Sequence, residues 1–352
     1  MARELSEGPS AVRATLATVE GLRASLRGCL AEADRVVLVG TGASLAVIAT
    51  AAPLWRRRLA AASRVTAPAP DIVVRQSAEA VLGADGIGWR RSDLAVLVSQ
   101  SGASPESVRA ARDTRAAGAR VVAVTGHPEA SLGLVADLIV PLAGGIETDA
   151  STKAALASLA ALLAVGEVIP ADAAAAEAIA CLLEVDATEP VDADLIRRLA
   201  DARHVWFIGS GASWGLATAG MLLWHEKVVR PAGAATPSEF RHGLVEAVRP
   251  DDAVMLVDVD PPDPARAAYL DRLRRELAAI AVPLVEPGDP GEGPEEPPRS
   301  STDPLGWAGI RALGTLLRLQ RIAYATAVLA GTYRDGFAVL RRVVTPATEL
   351  VD

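Results

Sequence analysis

The chain has 352 residues, 51% of them hydrophobic and 22% charged, with a mean hydropathy of +0.27; the length suits about two domains and the apolar share excludes wholesale disorder. A net charge of −8 and a pI of about 5.2 exclude a protein built around a basic face for phosphate backbones, so no nucleic-acid partner is expected. The opening MARELSEGPS has no basic-then-apolar leader, and the apolar runs are alanine-rich and broken by Pro, Glu or Arg, so a cytoplasmic protein with no membrane partner is expected.

Residues 36–39 are aliphatic and run into Gly40-Thr-Gly42-Ala-Ser44 and an alanine-rich stretch, which predicts a strand, a glycine turn and a helix. Residues 94–98 are the next predicted strand and 104–117 the helix after it. Strands at 121–125 and 138–141 and a helix over 151–168 follow. Residues 169–200 read as mostly helical and join two domains. The opening pattern then recurs at 205–208, where Gly209-Ser-Gly211-Ala-Ser213 begins 169 residues after Gly40. A single repeat at that distance means duplicated domains, since solenoid periods are about 20–50 residues. In the second copy 254–257 is a strand, 265–280 a helix, and 282–285 a short edge strand because Pro283 lies within it. Residues 286–304 hold six prolines and six acidic residues and read as an exposed loop. A long helix over about 305–330 precedes an irregular tail. Strand, glycine turn and helix in this order give an α/β protein with a parallel sheet in each domain, divided at 1–185 and 186–352.

The glycine turns fail the dinucleotide fingerprint, because Leu45 and Trp214 stand where its third glycine is required. No cofactor is expected. The segment Ser99-Gln-Ser-Gly-Ala-Ser104-Pro-Glu106 follows a strand and opens a helix, so its hydroxyls and the helix N-terminus form an anion cradle. Ser44, heading the neighbouring helix, adds a hydroxyl across the cleft at the carboxyl ends of the strands. The competing explanation is that these serines are ordinary helix caps. The matching loop of the second copy, Asp258-Val-Asp260-Pro-Pro-Asp263, repels phosphate by like charge, so the first copy is expected to hold the anion. Acid–base candidates lie in the second copy, at His225-Glu226-Lys227 and at Glu239-Phe-Arg-His242-Gly243; a solvated helix face is the alternative for the first group. His127 and His204 read as structural. His225, Glu226 and His242 match no standard zinc spacing, and Cys29 and Cys181 have neither metal nor disulfide spacing, so no metal site is expected.

These motifs, in this order, resemble the tandem SIS (sugar isomerase) family, as arranged in the isomerase module of glucosamine-6-phosphate synthase. Glu4-Leu-Ser-Glu-Gly-Pro9 is similar to that module's opening EIxEQP. Ser99-Gln-Ser-Gly102 resembles its phosphate loop, and Glu147 with Ala150-Ser-Thr-Lys153 its E…ASTKA segment. Glu226 and His242 keep the sixteen-residue interval between the family's glutamate and its ELKHGP histidine. The resemblance implies two domains that are each a parallel sheet flanked by helices, a flavodoxin-like three-layer sandwich, and a homodimer acting on a small-molecule sugar phosphate. It implies that Ser44, Ser99, Gln100, Ser101 and Ser104 hold the phosphate, with Thr41, Ala150 and Ser151 among the substrate-binding residues. Glu226 would move the C1/C2 proton, and His242, from a second subunit, would assist ring opening. Aldose–ketose isomerisation of a hexose or amino-hexose phosphate is the expected activity, with deaminase or deglycase chemistry and a non-catalytic phosphosugar sensor as alternatives. No glutaminase segment with a leading cysteine precedes the module, so ammonia from glutamine is not expected. Two family lysines are replaced, by Leu223 and Arg342, and a guanidinium with a pKa above about 12 cannot form a Schiff base. Lys153 and Lys227 are the only lysines in the chain. Lys227, one helical turn after Leu223, is a candidate to return an ammonium to the sugar, the alternative being a surface lysine paired with a nearby carboxylate.

Overall fold

Continuous aliphatic runs make strands that are buried on both faces, as the inner strands of parallel sheets must be. The computed structural model describes residues 1–62, 68–147, 150–280, 282, 284–285 and 303–337. In chain order it contains α1 (Ala2–Ala31), β1 (Arg35–Gly40), α2 (Ala43–Ala62), β2 (Asp71–Gln76), α3 (Ser77–Leu82), β3 (Asp93–Val98), α4 (Pro105–Ala116), β4 (Arg120–Thr125), α5 (Ser131–Val135), β5 (Leu138–Pro141) and α6 (Lys153–Val165). Helices α7 (Ala173–Thr188) and α8 (Ala193–Asp201) lead to the second copy. That copy comprises β6 (Val205–Ile208), α9 (Ala212–Leu223), β7 (Ala232–Ala235), α10 (Pro237–Arg241), β8 (Ala253–Leu256), α11 (Pro264–Ala279), β9 (Leu284–Val285) and α12 (Pro304–Leu329).

The first sheet has the order β2-β1-β3-β4-β5 and the second β7-β6-β8-β9. Every pairing is parallel, with Val37 opposite Val73 and Ala95, and Phe207 opposite Ala234 and Met255. In both sheets the chain reverses direction of travel at its first strand. The switch points therefore lie beyond the carboxyl ends of β1 and β3, and of β6 and β8, where open α/β sheets bind ligands. The expected α/β class with helix-flanked parallel sheets is what the structure has.

Helices α1, α3, α5 and α10 and strands β2 and β7 were not expected from the sequence. Helix α1 packs on α6 and α7. The edge strands β2 and β7 have weak signatures, since β2 carries Asp71, Arg75 and Gln76 and β7 is Ala-Gly-Ala-Ala. The helix expected over 151–168 is shorter, Lys153–Val165, because Glu147 and Thr152 close its N-terminus. The edge strand at 284–285 and the long helix α12 fall where expected; the loop at 286–302 and the tail from 338 lie outside the described residues.

Helix α2 of the first copy and α9 of the second lie against each other between the sheets. Their backbones meet at Gly215, where a Cβ would sit 2.3 Å from the Thr50 amide nitrogen and 2.4 Å from the Ala46 carbonyl oxygen. Only glycine fits that approach. Beyond Leu223, α9 widens into a π turn, Trp224–Val228, closed by a Val229 N–H to Trp224 O bond of 2.9 Å. Val229 ends it at φ 54°, a conformation that costs a β-branched residue about 1–3 kcal/mol. Such π turns are frequently retained at functional sites.

Candidate functional site

The loop after β3 is fixed by its backbone. Gln100 O accepts from Gly126 N at 3.0 Å, Gly102 O from Leu132 N at 2.8 Å, and Ser99 O from Gly102 N at 3.1 Å. Ser104 occupies the N-cap position of α4, but its hydroxyl makes no capping bond; it lies 3.3 Å from the Ser99 hydroxyl. Ser101 Oγ accepts from Ala103 N at 3.3 Å. The ordinary-cap explanation therefore fails for Ser104, and α4 keeps its first-turn amides and dipole for an anion. Thr41 and Ser44 sit on the adjacent loop after β1, Ser44 partly exposed and its N–H bonded to Thr41 O at 3.2 Å. The structure thus brings Thr41, Ser44, Ser99, Gln100, Ser101 and Ser104 to the carboxyl ends of neighbouring strands.

The second copy fills the same position with its own side chain. Asp260, only 2% exposed, folds back over the N-terminus of α9. Its carboxylate accepts from Ser213 Oγ at 3.0 Å and from the Ala212 and Ser213 amides at 3.3 Å each. Gly211, at φ 60°, leaves the room, since a Cβ there would lie 2.5 Å from Asp260 Oδ1. Arg57 of α2 approaches the same carboxylate at 3.9 Å. Asp258 is pushed up by burial, opposed by Arg266 and Arg311. The expectation that acidic residues exclude phosphate from this copy acquires a mechanism beyond like-charge repulsion: a carboxylate already occupies the helix N-terminus.

Glu226 lies in the π turn and lines a narrow cleft with Ala43 and Val47 of α2, Ser151, Ala155 of α6, Ala219, Leu222, Leu223, and Leu316 and Gln320 of α12. Burial alone pushes its carboxyl up to about 7. No cation is among these lining residues, and Leu223 presents an aliphatic surface where the resemblance has a lysine. Of the residues expected at the site, Glu226 and Ser151 share this cleft, which borders the head of α2 at Ala43.

Three other candidates fall elsewhere. Lys227 is 1% exposed, and its ammonium donates to Gly336 O at 2.7 Å and Arg334 O at 3.4 Å, with the rings of Phe337 and Tyr333 beside it. The α-helical offset that would carry it to the face of Leu223 does not apply, because residues 224–228 wind as a π turn. His242 is exposed at the C-terminal end of α10, and His225 accepts from Ala232 N through Nε2 at 3.1 Å. Arg342 lies outside the described residues. His127 pairs with Glu129 at 3.2 Å, and His204 packs on Trp206.

Glu147, Thr152 and Lys153 hold the start of α6 in place. Glu147 accepts from the Thr152 amide at 2.9 Å, the Thr152 hydroxyl at 2.8 Å and Ala154 N at 3.2 Å, and so closes the N-terminus of α6. Burial nevertheless raises its pKa. The buried Lys153 pairs with Glu7 of α1, and Thr152 Oγ1 lies 3.4 Å from the buried Glu4, so the two sequence motifs meet. Ala150 is buried beside this turn and Ser151 is left facing the cleft. Gln320 was not expected at the site, and Asp260, expected only to repel phosphate, also caps α9. A lone glutamine on the apolar stripe of α12, four residues after Leu316, was the available signal for the first. A larger cavity between α1, α7 and α12, lined by residues such as Val19, Ile179 and Trp307, contains none of the candidates and no hydroxyl loop.

Residues 87–167 match the model of the SIS domain family, and the chain carries a SIS domain there. It is similar to the isomerizing glutamine–fructose-6-phosphate aminotransferase of Bradyrhizobium diazoefficiens, 29% identical over 276 residues that make up 73% of this chain and 44% of the relative. The chain spans about half the length of the curated relatives it matches. Among solved structures, tagatose-6-phosphate ketose/aldose isomerase from Escherichia coli superposes with a TM-score of 0.73 at 20% identity, over 97% of this chain and 96% of that one. Glucosamine-6-phosphate deaminase from Thermotoga maritima gives 0.70 at 18%, over 97% and 98%. At these identities the likeness is one of fold.

Proposed function

We propose that this SIS-domain protein is an enzyme that interconverts aldose and ketose forms of a hexose or amino-hexose phosphate. The phosphate sits on the hydroxyl loop of the first copy, at Ser99, Gln100, Ser101 and Ser104 with Ser44 and Thr41, and the sugar chain runs past Ser151 to Glu226. The observation that carries the proposal is Glu226, whose carboxyl is pushed up to about 7 by burial in a cleft beside the head of α2. A general base works best when its pKa lies near the working pH, so that it can both take and return a proton. Glu226 then removes the proton at one of C1 and C2 and returns it to the other.

His242 acts in this scheme from a second subunit, donating or accepting the ring-oxygen proton. Its exposure at the end of α10 is what such a role requires. Lys227 anchors the segment at 334–336, and neither it nor Arg342 forms an imine with the sugar. Borohydride in the presence of a keto-sugar phosphate should therefore leave the Lys227 peptide at its native mass; a reductively alkylated Lys227 would restore the lysine to the reaction.

One observation favours a second chemistry. Among the described residues that line the cleft none is a cation, so an amino sugar, bringing its own ammonium, is electrostatically better matched to these walls than a neutral ketose. Deamination of an amino-hexose phosphate starts from the same proton transfer, C2 to C1, which yields an imine at C2; water adding there then breaks the C–N bond, releasing ammonia and leaving the ketose. Turnover of a panel of hexose 6-phosphates and their 2-amino counterparts, followed by isomer formation and ammonia release, distinguishes the two. Binding without turnover across the panel would instead support a phosphosugar sensor and overturn the enzymatic proposal.

A further inference from the structure

Helix α12 buries one amide side chain against the cleft that holds Glu226. Gln320 is 1% exposed, and its Nε2 donates to the carbonyl oxygen of Thr152 at 3.0 Å. That bond fixes the orientation of the amide, because the flipped form would set two oxygens against each other. Oε1 is therefore the free end, and it has no hydrogen-bond partner among the described residues. A buried acceptor left unpaired destabilises a fold, so such groups are rare without a functional reason. Gln320 lines the same cleft as Glu226 and Ser151, whose remaining walls are Ala43, Val47 and the aliphatic faces of α6, α9 and α12.

We propose that Gln320 is a ligand-reading residue, whose Oε1 accepts a hydrogen bond from a hydroxyl or amine on the carbon chain lying against Glu226. The inference rests on the phosphosugar reading of the site and deepens it. An ionised Glu226 and Gln320 Oε1 are both acceptors, and Ser151 is the one hydroxyl among the lining residues. The cleft leaves space for about one water molecule, and it accordingly suits a single hydroxyl or amine donor projecting from the carbon chain. It discriminates against a molecule of the same shape lacking the donor, since a polar site left unpaired rejects such an analogue more strongly than an apolar pocket rejects an extra group. Through Nε2 the same residue holds the turn at Thr152, so reading the ligand and shaping the Ser151 wall are joined in one amide.

Calorimetric titration of the full chain with inorganic phosphate, a hexose 6-phosphate and its set of monodeoxy analogues tests this. In the wild type, one deoxy analogue should bind about tenfold more weakly than the parent. In Gln320→Leu that difference should vanish while inorganic phosphate affinity stays unchanged. Gln320→Met serves the same purpose if the leucine variant does not fold. Gln320→Glu should restore the difference, because a buried, protonated carboxyl can donate to Thr152 O and still present a carbonyl to the cleft. If every analogue keeps the same ratio to its parent in wild type and variant, Gln320 does not read the ligand, and the phosphosugar reading stands. If the wild type binds neither phosphate nor hexose phosphate, that reading fails and the inference falls with it.

Discussion

Glu226 is placed so that its protonation links stability to activity. Its folded pKa is raised from 4.5 to about 7, so the folded protein binds a proton that the unfolded chain releases between those values. Stability therefore falls as pH rises from about 4.5 to 7, and the penalty is fully present above 7. Glu226→Gln removes the penalty, and urea titrations of the two proteins should diverge across that window in favour of the variant. Coincident curves would return Glu226 to an ordinary solvated carboxylate. The same substitution should lower turnover by a factor of roughly 10²–10⁴ and leave phosphate affinity nearly intact. The serine loop stood out in the sequence because its chemistry is local, hydroxyls at a helix start, whereas Glu226 was singled out through the family resemblance and its sixteen-residue interval from His242. Gln320 and Asp260 were not legible in the same way, since what matters is which buried acceptor lacks a partner, or which amides a carboxylate reaches, after packing.

At the scale of elements, α2 and α9 follow corresponding strands of the two sheets but differ at their N-termini. The first copy leaves hydroxyls and amides open to an anion; the second closes on Asp260. Phosphate should titrate to one site per chain, and a second site in the wild type would contradict the assignment. Asp260→Ala leaves the Ser213 hydroxyl and two amides of α9 without their acceptor and should cost about 1–3 kcal/mol in chemical denaturation. Gly215→Ala should be destabilising by about 1–3 kcal/mol, because its Cβ meets the backbone of α2 rather than a flexible side chain; an unchanged denaturation midpoint would mean the two helices can separate freely. The inner strands β1, β3, β6 and β8 were legible as aliphatic or aromatic runs. The edge strand β7 carries no such run, because alanine and glycine pack there beneath Trp206, and a π turn has no residue pattern that distinguishes it from the helix it extends.

For the molecule as a whole, the α/β architecture positions the hydroxyl loop in one copy and the carboxylate on the other, so neither copy contains the proposed site alone. The proposed contribution of His242 from a second subunit extends the same logic to the dimer. If it holds, Glu226→Gln and His242→Ala, each inactive, should recover about a quarter of wild-type activity when mixed as dissociated subunits and reassembled; no recovery would place His242 in its own chain's site or outside the reaction. The central claim is that a phosphosugar spans from the Ser99–Ser104 loop to Glu226, and the most direct measurement is a crystal structure with a hexose 6-phosphate bound. Phosphorus within hydrogen-bond reach of Ser101 and Ser104, with the sugar chain lying beside Ser151 and Glu226, is the expected outcome. Phosphorus beside Asp258 and Asp260, or in the cavity between α1, α7 and α12, would contradict that claim.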